Sequence, residues 1–420
     1  MSERAYRQRL EADIERWHAD GVISTTVADA IRGSLRPLPE AATVAVVVGI
    51  VGGLLIAAAF LAFIAANWMV IARPARFLIL LAGIIGAYSI GAWFDRTERT
   101  VLADLSVAVG SIVFGAAIAL TGQMYHLAAD FAAGLLLWAG GALIAAVLTG
   151  SRGALAVALA AACVWNGMRV FETDDIHLPF VFFWLVAAGL ALAWNAPVAR
   201  HLVALAAVVW WVHTGLGATQ RFFLFDPSFT VAAGASLMLG GGLALAIRAP
   251  ESRRAFGMTL SHYGAFALAF ALAWIVAGIF GAVPRRVPVW ITWCGVAGAV
   301  LAFVAAAIER RVALALAGIS IALALIVVSG VIRPSGANEP WAVYALALAS
   351  MLCLVISGML DDVRPRIVAG WVGLGLSIAA ITWAVKGSLL HRAAFLAAAG
   401  IIAVALAILL GRLLRREAAR

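Results

Sequence analysis

The residues best suited to chemistry lie in one short polar stretch between two long apolar runs. Residues 121–126 read TGQMYH, and Asp130 follows four residues later; the candidate side chains are Gln123, Tyr125, His126 and Asp130. In a lipid bilayer this hydrogen-bonding capacity must be satisfied inside the protein or by water. Two interpretations stay open: the side chains converge on a polar ligand or relay a proton, or they form an ordinary interfacial loop.

A second polar group, Asn67, Arg73 and Arg76, lies at the end of the first apolar run. A guanidinium group offers a planar fork of donors to a phosphate or carboxylate. If this group approaches Gln123, the two would form an outward-facing pocket with a cationic wall. The alternative is that the arginines extend to the membrane interface beside an aromatic anchor.

Catalytic signatures are missing from the sequence. It contains no Gly-rich P-loop, no HExxH and no GxSxG motif. The three cysteines, Cys163, Cys294 and Cys353, are widely spaced inside apolar runs, which favours small buried side chains over a metal site. An intramembrane enzyme acting on lipid through His126 and its polar neighbours is a third alternative, but we predict no catalytic residue, cofactor or metal.

The composition is that of a membrane protein. Hydrophobic residues make up 65% of the 420 and charged residues 12%, with a net charge of +9 and a mean hydropathy of +1.04. Soluble domains carry roughly 25% charged residues. The basic residues are scattered singly between apolar runs and share no face, so we predict no binding of nucleic acid.

Long apolar runs predict an all-α fold, a polytopic bundle of about fourteen transmembrane helices. Each run is close to the roughly 20 residues that cross about 30 Å of hydrocarbon. The predicted spans are 42–66, 77–94, 102–122, 131–149, 154–170, 179–195, 201–217, 229–248, 257–282, 288–308, 312–333, 342–360, 367–385 and 393–412.

The first 40 residues predict a short helical hairpin outside the membrane. An apolar stripe at helical spacing is broken at Asp20-Gly21, and Ser24 can cap a second helix. The members of the two stripes are Tyr6, Leu10, Ile14 and Trp17, then Val27, Ile31 and Leu35. Residues 1–36 are either a docking module for a protein partner or a structural cap.

The predicted organisation is therefore a hairpin and linker at 1–40, a membrane domain at 41–413 and a basic tail at 414–420. With the amino terminus inside, the inner segments hold 21 lysines and arginines and the outer segments 9. The positive-inside rule favours this orientation, with both termini cytoplasmic in a bacterial inner membrane.

Few polar side chains are predicted deep in the membrane. No Asp, Glu, Lys or Arg lies near the centre of a predicted span, which argues against a deep carboxylate relay. Asn166 and His213 lie deep enough to need partners, and we expect each to find one on another helix. The frequent glycines favour close helix packing, with hinges or a substrate path as the alternative.

Several of these segments resemble one bacterial family of membrane proteins, the domain of unknown function 2157 (DUF2157). The resemblance rests on Trp17 with residues 20–24 (DGVIS), on Ala66-Asn67-Trp68 and on residues 122–127 (GQMYHL) through Asp130. It is most specific over roughly the first 150 residues. It implies a short amino-terminal helical module before a multi-span region, and it implies no activity.

Two functions remain in contention. The number of spans, the glycines and the polar groups at Asn67 and Gln123 favour a passive or secondary carrier for a small or lipid-like molecule. The amino-terminal hairpin favours a scaffold or sensor that transports nothing and docks a partner. The bilayer itself is the one partner common to both.

Overall fold

The computed structural model describes residues 3–34, 51–53, 55, 59, 62, 71–125, 130–173, 176–222, 227–277, 289–329 and 341–384. The regular structure of these residues is helical throughout, without a strand. Among them are 11 helices long and apolar enough to cross a membrane. The prediction of an all-α polytopic bundle is confirmed.

The amino-terminal hairpin consists of α1 (Glu3–Ala19) and α2 (Thr25–Ser34). Gly21 takes a positive φ of 71° in the turn, and Ser24 Oγ accepts a hydrogen bond of 3.3 Å from the Val27 N–H. Both predictions for this turn are confirmed. Ile14 is buried and Ile31 is half-buried, but Trp17 and Val27 are exposed, and Ala28, 2% exposed, is buried beside Val27. One residue turns a helix by about 100°, so the hairpin buries the face next to the predicted one.

Twelve further helices are described, and each coincides with one of the predicted spans between residues 77 and 385. They are α3 (Arg73–Arg96), α4 (Thr100–Met124), α5 (Phe131–Thr149), α6 (Arg152–Thr173), α7 (Pro179–Trp194), α8 (Pro197–Phe222), α9 (Pro227–Ala246), α10 (Glu251–Ala277), α11 (Val289–Glu309), α12 (Val312–Ser329), α13 (Trp341–Leu360) and α14 (Arg364–Ala384).

One of these helices is short for a membrane span. Helix α7 has 16 residues, which span about 24 Å at 1.5 Å per residue, less than the hydrocarbon core. The predicted first and last spans, 42–66 and 393–412, lie largely or wholly outside the described residues. Those two therefore stay predictions.

Successive helices alternate in direction, so their connections gather at two ends of the bundle. We call the end with residues 97–99, 150–151, 195–196, 310–311 and 361–363 the Asp104 end. The opposite end, with residues 71–72, Tyr125, Asp130 and residues 176–178, is the Asp130 end. Arg364, Arg366 and most other arginines of the described connections lie at the Asp104 end.

Glycines let the central helices approach closely, as their frequency predicted. A Cβ on Gly240 of α9 would overlap the carbonyl oxygen of Gly298 on α11, and one on Gly242 would overlap that of Gly257 on α10. Hence the backbone of α9 lies in direct contact with the backbones of α10 and α11. Around it a large apolar core fills the bundle from α9 to α14, and a second core fills α5 to α8.

At the Asp104 end, one carboxylate ties two helices together. The Asp104 carboxylate accepts hydrogen bonds from the Ser151 hydroxyl and from the Gly153 N–H, the latter at 2.9 Å. Ser151 Oγ in turn accepts from the Ala154 N–H at 3.0 Å. Asp104 thus satisfies free N–H and O–H donors at the start of α6 and holds α4 beside it.

Candidate functional site

The sequence-predicted candidates on α3 and α4 lie at the Asp130 end. Arg73 is exposed at the start of α3, and Arg76 Nε donates a hydrogen bond of 2.7 Å to the Ile71 carbonyl oxygen. Gln123 and Tyr125 are exposed where α4 ends. Helices α3 and α4 run antiparallel, with Tyr88 beside Ser111, so the two arginines share an end of the bundle with Gln123.

Asn67 and His126, also predicted as ligand-binding candidates, lie outside the described residues. The exposure of Gln123 and Tyr125 favours the interfacial-loop alternative for the end of α4. A ligand-binding role for the seven candidates stays a prediction.

Asp130 has a definite structural role. Its Oδ1 accepts a 2.9 Å hydrogen bond from the Ala133 N–H and so caps α5. Its Oδ2 accepts from Arg169 Nη2 at 2.8 Å, and Arg169 also pairs with Glu172 at 3.0 Å. The backbone bond from Ala133, then the bond from Arg169, hold the pKa of the Asp130 carboxyl below its usual range.

A buried polar cluster lies inside the bundle, about one helical turn from this ion pair along α6. Asn166 of α6 is fully buried, and its Nδ2 is 3.1 Å from Nδ1 of His213 on α8. Its Oδ1 is 3.3 Å from Nδ1 of His177, in the connection before α7. The prediction that Asn166 and His213 find partners between helices is confirmed.

Two tryptophans complete the group, which we call the Asn166 cluster: Trp165, Asn166, His177, Trp210 and His213. The ring of Trp165 meets that of His177 edge to face, with centroids 4.3 Å apart. Trp210 Nε1 donates a hydrogen bond of 3.3 Å to the His177 carbonyl oxygen. The tryptophans therefore fix the connecting segment that carries His177 against α6 and α8.

A glycine makes the central hydrogen bond of the cluster possible. A Cβ added to Gly167 would lie 2.9 Å from Cε1 of His213, closer than side chains normally pack. Without that Cβ, the imidazole ring lies directly against the α6 backbone beside Asn166. The parallel packing of α6 and α8 therefore positions both partners.

The cluster carries further buried hydrogen-bonding capacity. Trp165 Nε1 and the Thr214 hydroxyl are buried and make no hydrogen bond to any described residue. An unsatisfied buried polar group costs about 1–3 kcal/mol. A polar ligand or water reaching these donors would remove that cost.

Electrostatics favour the neutral form of His177. Burial first, and then the positive charge of Arg169, lower the pKa of His177 below its usual value. Helices α5, α7 and α9 contain no ionisable side chain. Arg169 with Asp130 and Glu172 supplies the charge at the edge of the cluster.

Residues 15–155 match the family model described as "Predicted membrane protein (DUF2157)". The resemblance inferred from the sequence is confirmed over this stretch. No curated protein and no solved structure matches the chain significantly.

The stretch that matches this family model contains only part of the site. It includes α3, α4 and α5, with Arg73, Arg76 and Asp130, and it ends just after the Asp104–Ser151 contact. The Asn166 cluster lies beyond it. The family match thus covers the Asp130 cap and excludes the buried polar interior.

The sequence did not single out His177. It precedes α7 in a connection that also carries acidic residues, and its partner Asn166 is 11 positions earlier. A histidine immediately before an apolar helix beginning at Pro179 was the available signal.

A second buried polar group, at the Asp104 end, corrects one interpretation. Arg366 was treated as a topology signal at the membrane surface, yet its side chain is 1% exposed. Its Nη1 donates to Asp361 Oδ2 at 3.1 Å and to Ser357 Oγ at 2.9 Å. Arg311 donates to the other Asp361 oxygen at 2.6 Å. We call Arg311, Ser357, Asp361 and Arg366 the Arg366 cluster.

Proposed function

We propose that this membrane protein is a passive or secondary carrier for a small or lipid-like molecule that passes the Asn166 cluster. The observation that supports the proposal is the pair of hydrogen bonds joining Asn166 to His177 and His213. These three side chains lie among helices that are otherwise almost wholly apolar.

Packing alone is a weak reason to place this cluster inside a membrane protein. A hydrogen bond between membrane helices contributes on average only about 0.6 kcal/mol. Trp165 Nε1 and the Thr214 hydroxyl also stay unsatisfied within the described residues. Leucine and alanine could pack the same helices without leaving a buried polar group unsatisfied. Polar residues at such depth are typical of substrate and ion pathways.

Within the proposal, the molecule reaches this cluster from the Asp130 end. Arg169 lies about one turn from Asn166 along α6, and its charge is compensated by Asp130 and Glu172. Within the proposal, the sequence-predicted candidates line the mouth of the path. They are Asn67, Arg73, Arg76, Gln123, Tyr125, His126 and Asp130.

The experiment is flux into proteoliposomes of phosphatidylethanolamine and phosphatidylglycerol. The probes are glycerol, alanine and acetate, followed by light scattering, and fluorescent phospholipids, followed by dithionite quenching. We expect the full chain to accelerate at least one probe over protein-free vesicles. Asn166→Leu and His213→Leu should lower that rate at least tenfold, and Gln123→Ala and Asp130→Ala should lower it too.

The matched control is His201→Leu. His201 is on the same helix as His213 but is exposed near the Asp104 end. Its loss should leave flux intact. Rates equal to those of empty vesicles for every probe, or equal losses in both histidine variants, would overturn the proposal.

The amino-terminal hairpin supports a second candidate, a scaffold or sensor that docks a partner. Trp17, Val22 and Val27 are exposed, the last two at 70% and 46%. Deleting residues 1–36 separates the two functions. A carrier keeps its flux, whereas a scaffold loses its cellular role with the hairpin.

A further inference from the structure

The donor and acceptor roles within the Asn166 cluster follow from the orientation of the Asn166 amide. An amide nitrogen only donates and an amide oxygen only accepts. Nδ1 of His213 faces Asn166 Nδ2 at 3.1 Å, so it must accept and carry no proton. Nδ1 of His177 faces Asn166 Oδ1 at 3.3 Å, so it must carry the proton and donate.

These roles decide which histidine can become positively charged. An imidazolium donates from both nitrogens. His177 already donates from Nδ1, so it can take a second proton at Nε2 while its bond to Asn166 persists. His213 cannot, because a proton on its Nδ1 would point at the amide N–H₂ group.

A rotation of the Asn166 amide reverses the assignment. Turning it by 180° exchanges oxygen and nitrogen while both rings stay in place. His213 then donates from Nδ1 and can hold the extra proton, whereas His177 must accept and stay neutral. Each amide orientation therefore permits only one charged histidine. It is His177 in the first orientation and His213 in the rotated one.

We propose that His177, Asn166 and His213 form a single-proton switch, which makes H⁺ the coupling ion of the carrier. This inference rests on the proposed function. The amide does not conduct the proton; its orientation decides which ring can hold one. Protonation adds one H⁺ from water to one ring, and release returns it to water.

The surroundings suit such a switch. Among the described side chains, Arg169 of α6 is the cation that acts on His177, and its partners are Asp130 and Glu172. The side chain of Arg221 on α8 lies outside the described ones. Helices α5, α7 and α9 add no ionisable side chain, and α8 adds only His213 at this depth. Asp174 and Asp175 lie outside the described residues. No other described acid or base near the pair can substitute for the two histidines.

Histidine nitrogen NMR on the full chain in lipid bilayers tests the switch. Chemical shifts of ¹⁵N-labelled imidazoles distinguish the two neutral tautomers from the cation, and His177→Gln and His213→Gln assign the signals. At pH 8 we expect one ring of the pair protonated at Nδ1 and the other unprotonated there. Between pH 8 and pH 5 the pair should gain one proton.

Two variants make the prediction sharper. In Asn166→Asp both oxygens accept, so both rings can donate from Nδ1 and the pair should gain two protons. In Asn166→Leu the restriction disappears and the rings should titrate independently. The ¹⁵N signals of His201 and His262, which lie outside the cluster, should not differ among the three proteins.

The outcomes are decisive in either direction. Two protons gained by the wild-type pair, or wild type and Asn166→Asp titrating alike, would overturn the switch. The measurement needs no transport, so it separates the two proposals. A one-proton pair without flux for any probe would retain the switch and remove the carrier. Flux in a protein whose two histidines both take up a proton would retain the carrier and remove the switch.

Discussion

The two buried polar clusters of this protein differ in how freely their hydrogen bonds can be rearranged. In the Arg366 cluster the charged groups have fixed roles, since arginine only donates and an ionised carboxylate only accepts. In the Asn166 cluster an amide and two imidazoles can each exchange donor for acceptor. The charged groups of the first therefore have one arrangement, whereas the amide and imidazoles of the second have two. Fixed roles suit a structural tie, and exchangeable roles suit a moving part.

Burial and charge reinforce this difference. Arg366 and Asp361 are 1% and 5% exposed and carry opposite charges, whereas Asn166 is fully buried and neutral. Losing a partner in the charged cluster leaves a charge in the interior. Losing a partner in the neutral cluster leaves only an unpaired dipole.

The largest effect should therefore come from Asp361→Asn. It leaves the charge of Arg366 without its carboxylate, and breaking a buried pair costs about 3–5 kcal/mol. We expect a marked drop in the unfolding temperature of the purified protein, followed by tryptophan fluorescence. The control is Asp362→Asn at the exposed next position, which should change it little. Equal drops would contradict a special role for Asp361.

Gly167→Ala should have the next largest effect. The new Cβ would lie 2.9 Å from His213 Cε1, and overpacking typically costs about 1–3 kcal/mol. The ring must move, which lengthens its bond to Asn166. Thermal unfolding and the His213 tautomer signal should both change.

Gly189→Ala is the matched control for this variant. A Cβ at Gly189 of α7 would meet no atom within 4 Å. There the better helix propensity of alanine should stabilise the protein slightly. If both variants behave alike, the close approach of His213 to α6 is wrong.

The helices could be predicted from the sequence because runs of about 20 apolar residues have one solution in lipid. The choice of buried face could not. Helices such as α5 are apolar all round, so periodicity carries no information about which side meets a neighbour. The hairpin shows the same limit, because Ala28 is buried where the sequence predicted Val27.

The clusters were harder to predict for a related reason. Asn166 and His213 are 47 positions apart, and only the packing of α6 on α8 unites them. Because both are polar residues deep in predicted membrane spans, the sequence still indicated that each has a hydrogen-bond partner. Arg366 lies beside charged surface positions in sequence, so nothing local marked it as buried.

Acidification should weaken the folded state, and the effect should be smaller than that of either core variant. The pKa of His177 is lowered in the folded protein by burial and by Arg169. The unfolded chain then binds more protons as the pH falls below about 6.5, so stability is lost from there through the folded pKa. His177→Gln should reduce the fall in unfolding temperature between pH 7 and pH 5. An unchanged fall would show that other groups cause it.

The smallest effect on stability should come from Asp130→Asn, since Asp130 is exposed and asparagine is as good an amino-terminal cap as aspartate. The variant removes only the charge that faces Arg169, and exposed ion pairs contribute little. Its effect on the switch should be larger, because Arg169 then keeps only Glu172 as a partner and disfavours a cation on the nearby His177 more strongly. We expect the unfolding temperature to stay near that of the wild type while the ¹⁵N titration of His177 moves to lower pH. Asp130→Glu, which restores the charge, should return that titration toward the wild type. If Asp130→Asn instead unfolds early and leaves the titration unchanged, Asp130 is a structural cap alone, and the link between the Asp130 end and the Asn166 cluster is broken.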